Sequence, residues 1–288
     1  MRDRRHTPGH ADIFADVEAH MASGRFIRAA STNPVDIREF ALEGVDLGGC
    51  RSVLDVGCSY GFFTRGLAGR LPAEAKVTGL DLWEGCEPFF LAACRESGFA
   101  GTFFRTDPHQ ASPCAGLPDN GFDFVLCTYA LYFFPDAVAD LARVLRPGGQ
   151  CVIVTHCVPH MEELVATVKE ALARAGGQPV PCLPLEELFT AFSDENGPKL
   201  LAPHFTVTLQ KRYENAIRVD MGNLDALIDY LCFKRPKFIP RDVVPGEGFL
   251  RSTVAGLLRE KIRAAGALFI SKNDMVFVCR RPDGREEG

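Results

Sequence analysis

Residues 57 to 61 read Gly57-Cys58-Ser59-Tyr60-Gly61, and two kinds of chemistry fit that spelling. A serine between two glycines suits a sharp turn that exposes a nucleophilic hydroxyl, and Asp123 or Asp136 followed by His156 could complete a triad in the right order. The same glycines also suit a loop that lets a cofactor approach the backbone, and Ser59 then stands in for a glycine. Three acids accompany the loop: Asp55 two places before Gly57, Asp81 20 residues beyond Gly61, and then Asp107. A carboxylate at Asp55 repels a pyrophosphate and attracts a cationic group. One at Asp81 has two oxygens to accept from the paired hydroxyls of a ribose.

The dinucleotide fingerprint G-x-G-x-x-G fails here, because Ser59 and Phe62 occupy two of its three glycine positions. A phosphate-cradling G-x-x-x-x-G-K-[ST] does not occur in the sequence. His156 and His160 are four apart like a metal pair, but Pro159 between them opposes a helix that would present both on one face, so no metal site is expected.

The elements that position these residues are legible from periodicity. Residues 11–24 and 34–47 have helical spacing of apolar positions, and the short β-rich runs 51–56, 76–82, 101–107, 122–129 and 150–157 alternate with segments long enough for helices. This is the rhythm of parallel βαβ units, which places the carboxyl ends of all the strands on one edge of a sheet. Beyond it the sequence predicts helices over 161–177, 184–197, 223–234 and 248–266 and an alternating segment at 204–219. Two β runs around Lys272-Asn273-Asp274 read as a terminal hairpin.

In this setting the sequence resembles the class I S-adenosylmethionine-dependent methyltransferases, whose first motif runs roughly D-x-G-x-G-x-G after the first strand. Asp55, Gly57 and Gly61 match it, and Ser59 departs at the middle glycine. The resemblance continues through Asp81 in "VTGLDLW", Asp107 in "FFRTDP", and the stretch 121–154 with its "RVLRPGG" turn, so that it covers about residues 50–157. It implies S-adenosylmethionine as cofactor and S-adenosylhomocysteine as product. The cofactor would be bound by Asp55, Gly57, Ser59, Gly61, Asp81, Leu82, Trp83, Asp107, Pro108 and Cys127. Trp83 is expected to cover the adenosine, and Cys127 to offer a backbone carbonyl to the methionine ammonium. Where many relatives carry a histidine this chain has Tyr132 and Phe133, so His156, just after the fifth β run, becomes the candidate general base with Tyr132 beside it. Tyr129, Phe133 and Tyr213 are the candidate acceptor-binding residues.

The implied fold is α/β, a Rossmann-like seven-stranded and mostly parallel sheet with a terminal antiparallel hairpin. Residues 1–50 would form an N-terminal helical cap, 51–157 the cofactor-binding core, 158–199 a helical lid insertion, and 200–288 the rest of the sheet with substrate-side helices. Residues of the 158–250 stretch, among them Arg218, Tyr230, Phe233 and Phe238, are expected to close over the acceptor. A net charge of -5 gives a nucleic-acid backbone no global attraction, and the basic runs 1–6 and 233–237 read as solvated surface. No apolar run is long enough to cross a bilayer, and 11 scattered cysteines without C-x-x-C suit reduced thiols and a cytoplasmic setting. The expected partner is a small aromatic or apolar acceptor methylated on O or N by a monomer or homodimer, with neither nucleic acid nor membrane. Two other readings stay open: a cofactor-binding protein without turnover, and a serine hydrolase using Ser59. Against the second, only helix-like segments precede the loop, with no strands and no HGG-type oxyanion turn.

Overall fold

A computed structural model describes residues 12–176, 179–243 and 248–283. The basic run at 1–6, the first residue of the expected N-terminal helix and Gly177 lie outside the described residues. Val53, Leu54 and Val56, and the whole run from Phe124 to Cys127, are buried. That near-continuous burial marks strands covered by helices on both faces. The strands are β1 (Ser52–Val56), β2 (Lys76–Asp81), β3 (Ala100–Arg105), β4 (Phe122–Thr128), β5 (Leu145–His156), β6 (Thr206–Tyr213), β7 (Ala216–Val219), β8 (Leu268–Ser271) and β9 (Asp274–Arg280).

Seven of them form one sheet in the order β3-β2-β1-β4-β5-β9-β6, in which β9 runs opposite to the other six. The direction of winding reverses between β1 and β4, so a crevice opens beyond their carboxyl ends, where ligands of such sheets bind. Alternate residues feed two cores: Leu54, Val56, Val125 and Ile153 on one face, and Val53, Phe124, Leu126 and Val152 on the other. The "RPGG" turn is a bulge inside β5. Its register jumps from Leu145 to Gln150 while β4 advances from Phe122 to Phe124, with Gly148 at φ 76°.

The helices are α1 (Val17–Ala30), α2 (Ile37–Leu42), α3 (Glu87–Glu96), α4 (Val138–Val144), α5 (Glu162–Gly176), α6 (Pro184–Phe189), α7 (Gly197–Leu201), α8 (Leu224–Phe233), α9 (Arg235–Phe238) and α10 (Ala255–Ala265). Helix α1 starts where the Asp16 carboxylate accepts from the Ala19 N–H, and it runs past Gly24, which the sequence pattern made its end. Gly24 is needed inside the helix, because a Cβ there would lie 2.7 Å from the Tyr60 hydroxyl. The segment after the glycine loop, long enough for a helix, holds one 3-10 turn over Thr64–Leu67.

The terminal hairpin is not formed. β8 pairs with β7 in a separate two-stranded sheet, and β9 inserts between β5 and β6. The link between β8 and β9 stays extended because its polar groups bond outward. The Lys272 N–H donates to the Asn215 carbonyl, and the Asn273 side chain accepts from the Asn215 N–H. The pairing is therefore between 206–219 and 268–280, two bent strands side by side. Among the described residues no helix is long and apolar enough to cross a membrane.

Candidate active site

The glycine loop leaves β1 at the reversal point. Gly57 and Gly61 have φ of 73° and 72°, and a Cβ on either would collide, at 2.7 Å with Ala130 and at 2.5 Å with Ala93. Ser59 also takes a left-handed conformation, φ 46°, with no glycine to make it cheap. Two contacts hold it: its N–H donates to Asp81 at 2.9 Å, and its hydroxyl lies 3.1 Å from Nδ1 of His20 on α1. The other Asp81 oxygen accepts from the Trp83 N–H at 3.1 Å. The Leu82 N–H and the Cys86 thiol also donate to this carboxylate. Burial raises the pKa of Asp81 against these backbone donors.

Beneath the loop, Asp55 is 1% exposed. Its Oδ2 accepts from the Thr64 hydroxyl at 2.6 Å, while its Oδ1 is buried with no partner. Burial, with the charge of Asp81 nearby, raises its pKa to about 7. An orphaned carboxylate oxygen beside a second acid is a place that a cation would relieve.

Next to the loop stands a stack of rings. Tyr129 and Tyr132, just after β4, lie 4.8 and 5.7 Å from the His156 ring at 27° and 21°. His156 ends β5, and its Nδ1 is 2.7 Å from the carboxylate of Asp274, its register partner across the sheet on β9. Asp274, 1% exposed, also accepts from the Tyr129 hydroxyl at 2.8 Å and from the Lys272 ammonium at 2.7 Å, and Lys272 together with the His156 ring keeps its pKa low despite burial. Burial lowers the pKa of His156 to about 4, and the carboxylate of Asp274 opposes that shift only in part. The imidazole is neutral at pH 7, its Nδ1 proton held by Asp274, and its other nitrogen is a free acceptor. Phe189 of α6 closes on the stack, 4.5 Å from His156 and 4.9 Å from Tyr132.

Residues 54–153 match the methyltransferase domain family. This segment is a class I S-adenosylmethionine-dependent methyltransferase domain. A Bacillus subtilis protein described as an uncharacterized methyltransferase, YcgJ, is 30% identical over 136 residues, 43% of this chain and 51% of that protein. The chain thus matches about half the length of its curated relatives. Two solved structures share the fold. A Bacillus halodurans C-125 protein described as a methyltransferase has TM-score 0.52 at 15% identity, covering 90% of this chain and 98% of its own. A Haemonchus contortus N-methyltransferase with bound phosphomonomethylethanolamine and S-adenosylhomocysteine has TM-score 0.51 at 14% identity, covering 95% and 60%.

S-Adenosylmethionine, the cofactor of this family, fits what the domain offers. The orphaned Asp55 oxygen suits its ammonium, the Asp81 carboxylate its ribose hydroxyls, and the glycine turn brings backbone close without phosphate-binding charge. Of the other predicted contacts, Leu82 and Trp83 follow Asp81 directly, and Trp83 packs with Val17, Tyr60 and Cys86 under α1. Cys127 is buried one residue before the end of β4. Asp107 lies two residues past β3, exposed beside Pro108, and caps its own turn by accepting from the His109 N–H at 2.8 Å.

The triad nominated around Ser59 is not assembled. Ser59 meets His20, His156 is engaged by Asp274, and Asp136 is exposed on the surface. Asp123 lies at the opposite edge of the sheet, accepting from the N–H groups of Arg51 and Ser52. Tyr213 does not line the acceptor side. Its hydroxyl donates to the Val35 carbonyl at 2.6 Å and its ring packs on Phe40, so it ties the segment after α1 to β6. His156 and His160 do come together, ring centroids 4.0 Å apart, and a nitrogen of each lies within 4.8 Å of an Asp274 oxygen, through a turn and not a helix. An ammonium already bonded to Asp274 gives this trio a poor charge for a divalent ion.

Sequence reasoning missed His20, Asp274, Lys234, Lys237 and Phe189. Asp274 was visible only as part of a presumed hairpin turn, and the two lysines only as part of a basic run. Their elements, far apart in sequence, converge over the post-β4 rings. Lys237 lies 5.3 Å from the Phe133 ring, 5.8 Å from Tyr132 and 5.7 Å from Phe189.

Proposed function

We propose that this chain transfers a methyl group from S-adenosylmethionine to an oxygen or nitrogen of a small aromatic or apolar acceptor, with His156 as general base. The observation that carries the reading is the buried His156–Asp274 pair, stacked against the tyrosines that adjoin the glycine loop. When bound, the cofactor supplies a methyl group on a cationic sulfur, open to direct displacement. Asp55, the turn at Gly57–Gly61 and Asp81 would hold it. Asp274 fixes the tautomer of His156 and stabilises the imidazolium formed when the ring takes the acceptor's proton. Because burial disfavours a charged ring, His156 stays a free base at neutral pH and passes the proton on readily. Burial also pushes the Tyr132 phenol far up its scale, so Tyr132 keeps its proton and serves as a wall and hydrogen-bond donor, not as a base. A protein that only bound the cofactor would gain nothing from a buried acid–imidazole pair, which costs desolvation.

The reading is tested by titration calorimetry followed by methyl transfer. S-Adenosylhomocysteine is expected to bind and NAD not to, with Asp81→Ala weakening the former about tenfold or more. Incubation with methyl-labelled cofactor and a metabolite extract is expected to label small molecules, and His156→Gln to cut that labelling about 100-fold with cofactor affinity intact. Label confined to protein or tRNA would refute the acceptor class, and unchanged labelling in His156→Gln would refute the base.

A further inference from the structure

Two lysines of the α8–α9 junction are buried with no acid paired to them among the described residues. Lys234 is 8% exposed and Lys237 6%, and among the described residues neither ammonium has an ion-pair or hydrogen-bond partner. What surrounds them is aromatic. Lys234 sits 4.3 Å over the Phe14 ring and 4.6 Å over Phe233, and Lys237 lies 5.0 Å from Phe14 as well as near Tyr132, Phe133 and Phe189. Among the described residues the nearby charges are of the same sign or already neutralised. His20 and His156 both feel Lys237 as a repelling cation, and Asp274 is satisfied by Lys272, Tyr129 and His156.

Ring faces recover only part of the hydration that an ammonium loses on burial. Such a cost persists in a fold where a ligand removes it. Burial pushes the Lys237 ammonium down to about 7, consistent with a cation kept waiting for a counter-ion. The place is significant, because Lys237 lies against Phe14, whose ring meets His20 at the glycine loop, and against Tyr132 and Phe133 beside His156, where an acceptor must lie to reach both cofactor and base.

Resting on the methyltransferase reading, we infer that the acceptor carries a carboxylate or similarly charged acidic group. Lys234 and Lys237 hold that group while its apolar or aromatic body lies among Phe14, Tyr132, Phe133 and Phe189. Charge-assisted hydrogen bonds inside such a chamber discriminate strongly between an acid and its neutral isostere. The same chemistry could come from the methionine carboxylate of the cofactor, and the experiment separates the two sources.

Protein saturated with S-adenosylhomocysteine is titrated calorimetrically with benzoate, phenylacetate and 2-naphthoate and with the matching amides. At least one acid is expected to bind about tenfold or more tighter than its amide, and Lys237→Met to erase that preference with S-adenosylhomocysteine affinity unchanged. No acid binding better than its amide would overturn the inference, as would a preference that survives in both Lys237→Met and Lys234→Met. Weakened S-adenosylhomocysteine binding in the variants, without any acid preference in the parent, would reassign the lysines to the cofactor carboxylate. Failure of the parent to bind S-adenosylhomocysteine at all would remove the methyltransferase reading itself. The acid–amide comparison on the parent stands even if a variant misfolds.

Discussion

Ser59 pays for its place in the glycine loop. At φ 46° an L residue loses roughly 1–2 kcal/mol relative to glycine, and its hydroxyl recovers part of that through His20. The two effects can be separated, because Ser59→Ala loses the hydroxyl and keeps the strain, whereas Ser59→Gly loses both. We expect Ser59→Gly to be about 1 kcal/mol more stable than Ser59→Ala in urea denaturation, and close to the parent itself. Equal stabilities of the two variants would mean that the backbone is not strained there. The middle glycine missing from the family motif is therefore replaced by a local bond to the N-terminal helix, which couples that helix to the cofactor loop.

The elements show what can be read from the chain and what cannot. β1 and β4 were legible because burial on both faces leaves unbroken apolar runs, and Asp55, Asp81 and His156 because the ends of such runs share one sheet edge. Pairing is different, since apolar alternation at 267–281 says that strands form but not with whom. The partner of β9 is fixed by the Asn273 side chain on the Asn215 backbone, polar contacts with no periodic signature. The same holds for Asp274, 118 residues from the histidine it orients, and for Lys234 and Lys237, whose neighbours come from the turn before α1, from α6 and from the post-β4 turn. Gly61 measures how tightly α3 presses on the loop. Gly61→Ala would pay both for φ 72° and for a Cβ 2.5 Å from Ala93, whereas Gly98→Ala, at φ 83° with nothing within 4 Å, pays for the backbone alone. We expect losses of about 2–4 and about 1–2 kcal/mol respectively, read by urea denaturation, with S-adenosylhomocysteine affinity falling only in the first. Equal losses would mean that α3 yields and the loop is not clamped.

Across the whole molecule, charge is arranged against the average. The chain is net negative, yet the rings after β4 are flanked by two buried lysines that have no ion-pair partner among the described residues, and by His20 and His160, whose pKa values burial lowers. That inversion leaves a signature in the pH dependence of stability. Lys237 has a pKa of about 7 when folded and near 10.5 when exposed, so between those values the unfolded chain binds more protons and stability rises with pH. The penalty is complete below pH 7 and fades toward pH 10. Lys237→Met removes it, so the variant should be more stable than the parent by on the order of 2 kcal/mol at pH 6, and the advantage should shrink steadily by pH 9. The buried thiols, whose pKa values burial raises, pull the opposite way at high pH, because the unfolded chain ionises them first. They are common to both proteins and cancel in the difference, which urea denaturation at pH 6, 7.5 and 9 measures. A constant difference across that range would mean that Lys237 finds water or an anion in the free protein, and the chamber would then not be the charged, empty-handed site described above.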